Sequence, residues 1–150
     1  MSNSTRRIQP SAIEITRLMG IADRDLEQAQ LEILHTDTRF SLAYNAALQL
    51  ATAVLRLEGV RVRKEAFHAR TFAELKKALP EDQAQLADYF DRARRKRHAA
   101  AYERINVVSE SELDDLIEQV RKFREWVSRS VCEAGLAAHS ESGEETNPVP

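Results

Sequence analysis

The chain has 150 residues, of which 43% are hydrophobic and 31% charged, with a formal net charge of −2. That length suits one domain with a core that needs no disulfide staple. The near-neutral balance excludes a uniformly basic nucleic-acid binder, so any polyanion binding must come from local clustering.

The single cysteine, Cys132, excludes an intrachain disulfide and a multi-cysteine zinc site, and reads as a small hydrophobe or exposed thiol near a helix end. The opening stretch MSNSTRRIQP has no apolar segment of the signal-peptide kind. Residues 1–10 are therefore expected to form a flexible N-terminus. No apolar run approaches the ~20 residues of a membrane span, so no membrane partner and a cytoplasmic location are expected.

In chain order, Pro10-Ser11 opens the first helix, with Ser11 as its cap. Ile13, Leu18, Ile21, Leu26, Ala29 and Ile33 mark its apolar stripe. Gly20 offers a break, after which Asp23 or Asp25 can restart the helix. Asp37 is positioned to cap a second helix, TRFSLAYNAALQLATAVLRLE, which stops at Gly59. This helix is apolar nearly all round and belongs at the centre of the bundle. Its exceptions, Ser41, Asn45, Gln49, Thr52 and Arg56, recur at helical spacing as one uncharged polar stripe ending in a cation. Such a stripe is expected to meet other protein or a polar cleft rather than bulk water, unless it is a mildly polar exposed seam.

VRVRKEAF reads as a basic connector. His68 or Thr71 begins a third helix, ended by Pro80. Glu81-Asp82 places acid at the start of the fourth, which runs to about Tyr102. Asn106 to Val108 make a turn, and Ser109-x-x-Glu112 is a capping box. The fifth helix carries Leu113, Leu116, Ile117, Val120, Phe123, Val127 and Val131 on one stripe, with Trp126 beside it, and ends at Gly135. The segment 136–150 lacks large apolar side chains after Leu136, is rich in Glu, Ser and Pro, and is expected to be a disordered acidic tail. With no strand pattern and no repeat, residues 11–135 are expected to form an all-α, up-and-down bundle of about five helices.

The chemistry concentrates in DRARRKRHAAAYE, Asp91 to Glu103, where five of the six positions Arg92 to Arg97 are cations. On a wheel of about 100° per residue, Leu86, Tyr89, Phe90, Ala93, Ala100 and Ala101 share an apolar face. Arg97 falls inside that face, whereas Arg92, Arg95 and Lys96 point away. A guanidinium on a buried stripe needs a paired acceptor: an acid of this chain, a subunit interface or a ligand phosphate. His98, beside several cations, is expected to favour its neutral form. A neutral imidazole and an arginine are the components of a metal-free ribonuclease site, although a His–Arg pair on a basic helix is commonly structural. His35, His68, His98 and His139 are too scattered for a metal site, and no Gly-rich phosphate loop is present. Neither a metal nor a cofactor is expected.

Three segments resemble the HEPN family (higher eukaryote and prokaryote nucleotide-binding domains). RFSLAYNAALQLATAVLRLEGVR is similar to its Tyr-containing second helix. FHARTFAELKKAL is similar to the segment where a histidine opens the third. RRKRHAAAYERINVVSESELDDLIEQVRKF is similar to its arginine-rich helix end, turn and acidic restart. The resemblance spans roughly residues 22 to 132. It implies a homodimer with motif helices facing each other, RNA or nucleotide binding, and in active members metal-independent ribonuclease activity from an Arg followed four to six residues later by His. It also implies a nucleotidyltransferase-type partner, in a toxin–antitoxin or stress and defence setting.

Two registers fit that motif. Arg92 with His98 satisfies the spacing. Arg97 with Tyr102 agrees with the inward position and replaces the histidine by a tyrosine, a poor base at neutral pH. In the second register Arg97, His98 and Tyr102 form the candidate catalytic set, with Arg92, Arg94, Arg61, Arg63 and Lys64 as phosphate contacts. Three readings follow: an RNA- or nucleotide-binding dimer, a non-catalytic module docking an acidic partner, and a metal-independent ribonuclease.

Overall fold

The structure, a computed structural model, describes residues 5–102 and 107–136. In order it comprises β1 (Thr5–Arg7), α1 (Ala12–Ala29), α2 (Thr36–Leu57), β2 (Val60–Val62), α3 (Phe67–Ala78), a 3-10 turn (Glu81–Gln83), α4 (Gln85–Tyr102) and α5 (Glu110–Glu133). The fold is an all-α bundle of five helices with one small ribbon.

The small, apolar side chains of α2 let other helices approach it from every side, and it packs against α1, α3, α4 and α5. Its alanines Ala43, Ala46, Ala47, Ala51 and Ala53 are fully buried. A column of rings crosses the core beside it. Tyr44 meets Phe72 at 5.9 Å between centroids, Phe72 meets Phe90 at 6.1 Å, and Phe90 meets Phe123 at 5.3 Å. Each ring comes from a different helix, so α2, α3, α4 and α5 are tied through aromatic contacts. All seven stripe residues of α5, Leu113 to Val131, are buried, and Trp126 packs beside them. Ser109 and Glu112 close the capping box, with the Glu112 amide donating to the serine hydroxyl (3.0 Å) and the Ser109 amide to the Glu112 carboxylate (2.9 Å).

Several elements differ from the sequence expectation. α1 is continuous through Gly20, where a side chain would meet open space. A single helical glycine costs only about 1 kcal/mol, too little to break a helix packed along α2. The buried face of α1 is Ile15, Ala22, Asp25, Leu26 and Ala29; Ile13 is 75% exposed, and Ile33, beyond the helix, 92% exposed. His35, not Asp37, is the N-cap of α2: its Nδ1 accepts from the Asp37 amide at 3.1 Å. The Asp37 carboxylate instead accepts from the Val108 amide at 3.2 Å, joining the start of α2 to the turn before α5.

No strand was expected, yet Thr5–Arg7 pairs antiparallel with Val60–Val62. Thus three residues of the expected flexible N-terminus, and three of the expected connector, form a ribbon. Gly59 makes this possible. It ends α2 at φ +76°, its carbonyl accepts from the Ile8 amide at 2.9 Å, and a Cβ there would lie 2.9 Å from the Ile8 carbonyl oxygen. The acidic start expected for the fourth helix is the separate 3-10 turn. Asn106 and all of the expected tail except Leu136 lie outside the described residues. No helix among the described residues is long and apolar enough to cross a membrane.

Candidate functional site

The cationic run on α4 resolves into three charges paired with carboxylates and two, Arg92 and Arg97, that rest on tyrosine rings. Arg94 donates to Asp91 Oδ1 at 2.8 Å, and Arg95 to Asp91 Oδ2 at 3.2 Å. Lys96 pairs with Glu112 at 3.1 Å across the α4–α5 seam. Arg92 lies over the Tyr89 ring at 5.8 Å, on the side of α4 that faces α5. Arg97 has no carboxylate partner among the described residues. Its guanidinium carbon lies 5.5 Å from the centroid of the Tyr44 ring, and the residue is half-buried. The helix turn dictates this: Arg97 follows Phe90 and Ala93 on the face that packs inward.

Beneath Arg97, α2 and α3 supply a second pair. The buried Tyr44 hydroxyl and His68 Nδ1 are 2.9 Å apart. Burial pushes the Tyr44 phenol well up, against the opposing pull of Arg97 and Arg94, so the hydroxyl keeps its proton. Burial, then Arg97 and Arg94, hold the His68 imidazole below its ordinary value, so the ring is neutral near pH 7. A protonated phenol and a neutral imidazole fit one assignment: the hydroxyl donates to Nδ1, and Nε2 carries the ring proton. The phenol and imidazole thereby satisfy each other. The guanidinium, resting on a ring face, keeps its N–H donors for an outside acceptor.

His98 and Tyr102 lie elsewhere. They sit one turn apart on the outer face of α4, with ring centroids 4.7 Å apart and Tyr102 75% exposed. The helix therefore brings His98 to Tyr102, and neither to Arg97 of the same chain. In the alternative register, Arg92 reaches the α5 side and does not meet His98. Arg94, like Arg97, acts through its charge on Tyr44 and His68. Among the described residues no group of three His, Cys, Asp or Glu side chains is placed to hold a metal.

Arg61, Arg63 and Lys64 gather in another groove, of about 570 Å³, together with Arg6, Arg56, Val62, Glu65 and Phe67. Arg56 and Tyr44 are twelve positions apart on α2, about 18 Å along the axis. The two centres adjoin only at the start of α3, where Phe67 lines the groove and contacts His68 at 6.1 Å. The polar stripe of α2 is used within the chain. Asn45 donates to Asp25 of α1, Thr52 to the Leu48 carbonyl at 2.8 Å, and Arg56 pairs with Glu14 at 3.3 Å. Ser41 and Gln49 are half-buried on the same helix.

A family model described as SAV_6107-like HEPN matches residues 31–128, about two thirds of the chain. The chain belongs to the HEPN family. Its matched region runs from the loop before α2 into α5 and contains Tyr44, His68, Arg94 and Arg97. No curated protein and no solved structure matches the chain. In this HEPN domain the sequence singled out Arg97 but not its two companions. One signal for Tyr44 was available: a lone phenol among alanines on an all-round apolar helix needs a hydrogen-bond partner.

Proposed function

We propose that this HEPN protein binds RNA, or the phosphate of a nucleotide, through the cationic end of α4 as a homodimer. The observation that carries this reading is Arg97, half-buried on the Tyr44 ring with no carboxylate partner among the described residues. A phosphate offers oxygens in the planar geometry a guanidinium matches, and a low-polarity floor strengthens the contact. Arg94 adds a second cation whose counter-charge, Asp91, is shared with Arg95. The exposed His98–Tyr102 pair offers a stacking surface for unpaired bases. It turns away from Arg97 of its own protomer, so in this reading it reaches the centre of the second copy across the dimer. A nucleotidyltransferase-type partner, a toxin–antitoxin or defence setting and a cytoplasmic location belong to the same reading on family grounds.

The test is fluorescence anisotropy of a labelled single-stranded RNA over a salt series. Affinity is expected to fall with salt, and to be lost in Arg97→Ala while circular dichroism stays unchanged. Unaltered binding by Arg97→Ala refutes the reading.

One observation favours a second reading, a metal-independent ribonuclease. His68 is a neutral imidazole held by Tyr44 in the field of Arg97. In this reading Nδ1 exchanges the Tyr44 hydroxyl for the substrate hydroxyl to act as base, and Arg97 is the cation for the phosphorane-like transition state. RNA cleavage in EDTA that is abolished by His68→Ala but not by His98→Ala supports it; no cleavage by the wild-type protein removes it.

A further inference from the structure

The groove beside the ribbon is a second cationic centre whose charges are not balanced by the described residues. Arg6 and Arg61 stand directly opposite each other in the β1–β2 ladder. Like charges at opposed positions destabilise a strand pair. Arg56, only 6% exposed, lies under them. One carboxylate serves this group: Glu14 Oε1 is 3.3 Å from Arg56 Nε, and its Oε2 3.3 Å from Arg61 NH2. Arg61 Nε is nonetheless buried without a hydrogen-bond partner, and Arg56 Nε meets Glu14 as an ion pair outside good hydrogen-bond geometry. Arg56 NH1 reaches the Val60 carbonyl at 3.2 Å, which fixes the plane of the guanidinium. Arg63 and Lys64 are exposed on the rim, with Glu65 as the one acid lining the groove. Burial, and then repulsion from Arg61, lower the Arg56 pKa against the pull of Glu14, so the cluster works against its own charge.

A ribbon of three-residue strands gains little from its own ladder. Placing two opposed arginines on it, above a third that is buried, is favourable when an anion joins them. We propose that this groove is a phosphate site, separate from the Arg97 centre, in which a phosphoryl group is held by Arg6, Arg61 and Arg56. Glu14 is its resident competitor: the carboxylate spans the two inner guanidiniums as a phosphate would, and yields to a ligand of higher charge. Arg63 and Lys64 guide the anion inward and contact its outer oxygens. The phosphoryl group comes from an RNA backbone or from a small polyphosphate, which share this chemistry. The inference uses none of the residues on which the Arg97 reading stands.

The probe is tripolyphosphate, added to the full chain and followed by thermal unfolding and calorimetric titration. Wild type is expected to gain melting temperature with ligand concentration. The triple variant Arg6→Ala/Arg63→Ala/Lys64→Ala changes only exposed side chains, and is expected to bind about tenfold more weakly or worse. Arg97→Ala is expected to keep the part of the response that the triple variant loses. Glu14→Gln is expected to lose stability without ligand, to recover it with tripolyphosphate, and to bind more tightly than wild type. If Glu14→Gln fails to fold, the triple variant decides. The inference is overturned if wild type shows no response, if the triple variant responds like wild type, or if Arg97→Ala abolishes the response. RNA titrations identify the source. A salt slope shallower by about 2 in the triple variant assigns the site to the backbone of single-stranded RNA. An unchanged slope with a lost tripolyphosphate response assigns it to a small polyphosphate.

Discussion

Tyr44→Phe is the smallest change that interrogates the centre on α4. Tyr44 is 1% exposed, and its hydroxyl lies 2.9 Å from His68 Nδ1. The substitution keeps the ring, and with it the contact to Phe72 and the floor under Arg97. It removes one hydrogen bond, with a net value of about 1 kcal/mol. Two terms adjust this figure. His68 Nδ1 loses its donor, but the ring is only half-buried, so water can replace part of the bond. The phenol also no longer has to be desolvated, which offsets some of the loss. The expected cost is therefore about 1 kcal/mol, a fall in melting temperature of about 4 °C. Tyr44→Ala, which also removes the ring, is expected to cost about 3–5 kcal/mol. Urea denaturation of Tyr44→Phe, His68→Ala and the double variant isolates the pair, and a coupling of about 1 kcal/mol is expected. A coupling indistinguishable from zero, or a Tyr44→Phe cost equal to that of Tyr44→Ala, refutes the account of this centre.

Three further outcomes follow from the same coordinates. His68 is held below its ordinary value of 6.5 by burial, then by Arg97 and Arg94. As pH falls the unfolded chain takes up this proton first, so the stability associated with the neutral ring is complete above 6.5 and is lost as pH drops toward the folded value. Denaturation across this range should show the decline, with a shallower one in Arg97→Ala; an equal slope in the variant contradicts the assignment. Ser109→Ala breaks the capping box of α5 and should cost about 1 kcal/mol in urea denaturation. Ala66, the residue before α3, has φ 53° and ψ 40°, a left-handed conformation that strains a Cβ. Ala66→Gly should raise stability by about 1 kcal/mol, and a loss of stability would show that the strain is absent.

What the sequence made legible follows from how local each feature is. The stripe of α5 repeats at helical spacing for about five turns, and every residue it assigns to the core is buried. The phase of α1 is harder to read, because Ile13 and Ile15 are both apolar and only contact with α2 selects Ile15. The ribbon was invisible: strands of three residues cannot display an alternation, and one lay in a segment that composition alone makes a connector. The inward position of Arg97 was readable from the wheel. Its surroundings were not, since Tyr44 and His68 are 24 residues apart and meet only once α2 and α3 pack. His98 was drawn toward Arg97 by adjacency in sequence, but on a helix the neighbour that matters is four residues on, which is Tyr102.

The placement of Arg97 also couples charge at the centre to protonation of the histidine beneath it. Among the charged groups facing His68, both Arg97 and Arg94 depress its pKa, and Asp91 is engaged by Arg94 and Arg95. An anion bound to Arg97 cancels that residue's share of the depression, leaving the larger share from burial, because its charge opposes the guanidinium at the same position. Binding therefore favours the imidazolium, and by linkage the imidazolium favours binding. The four neighbouring cations cannot have this effect to the same degree, since Arg94, Arg95 and Lys96 already face carboxylates and Arg92 lies on the α5 side. One residue in a run of five is thus placed both to hold an anion and to alter the proton affinity of the imidazole beneath it.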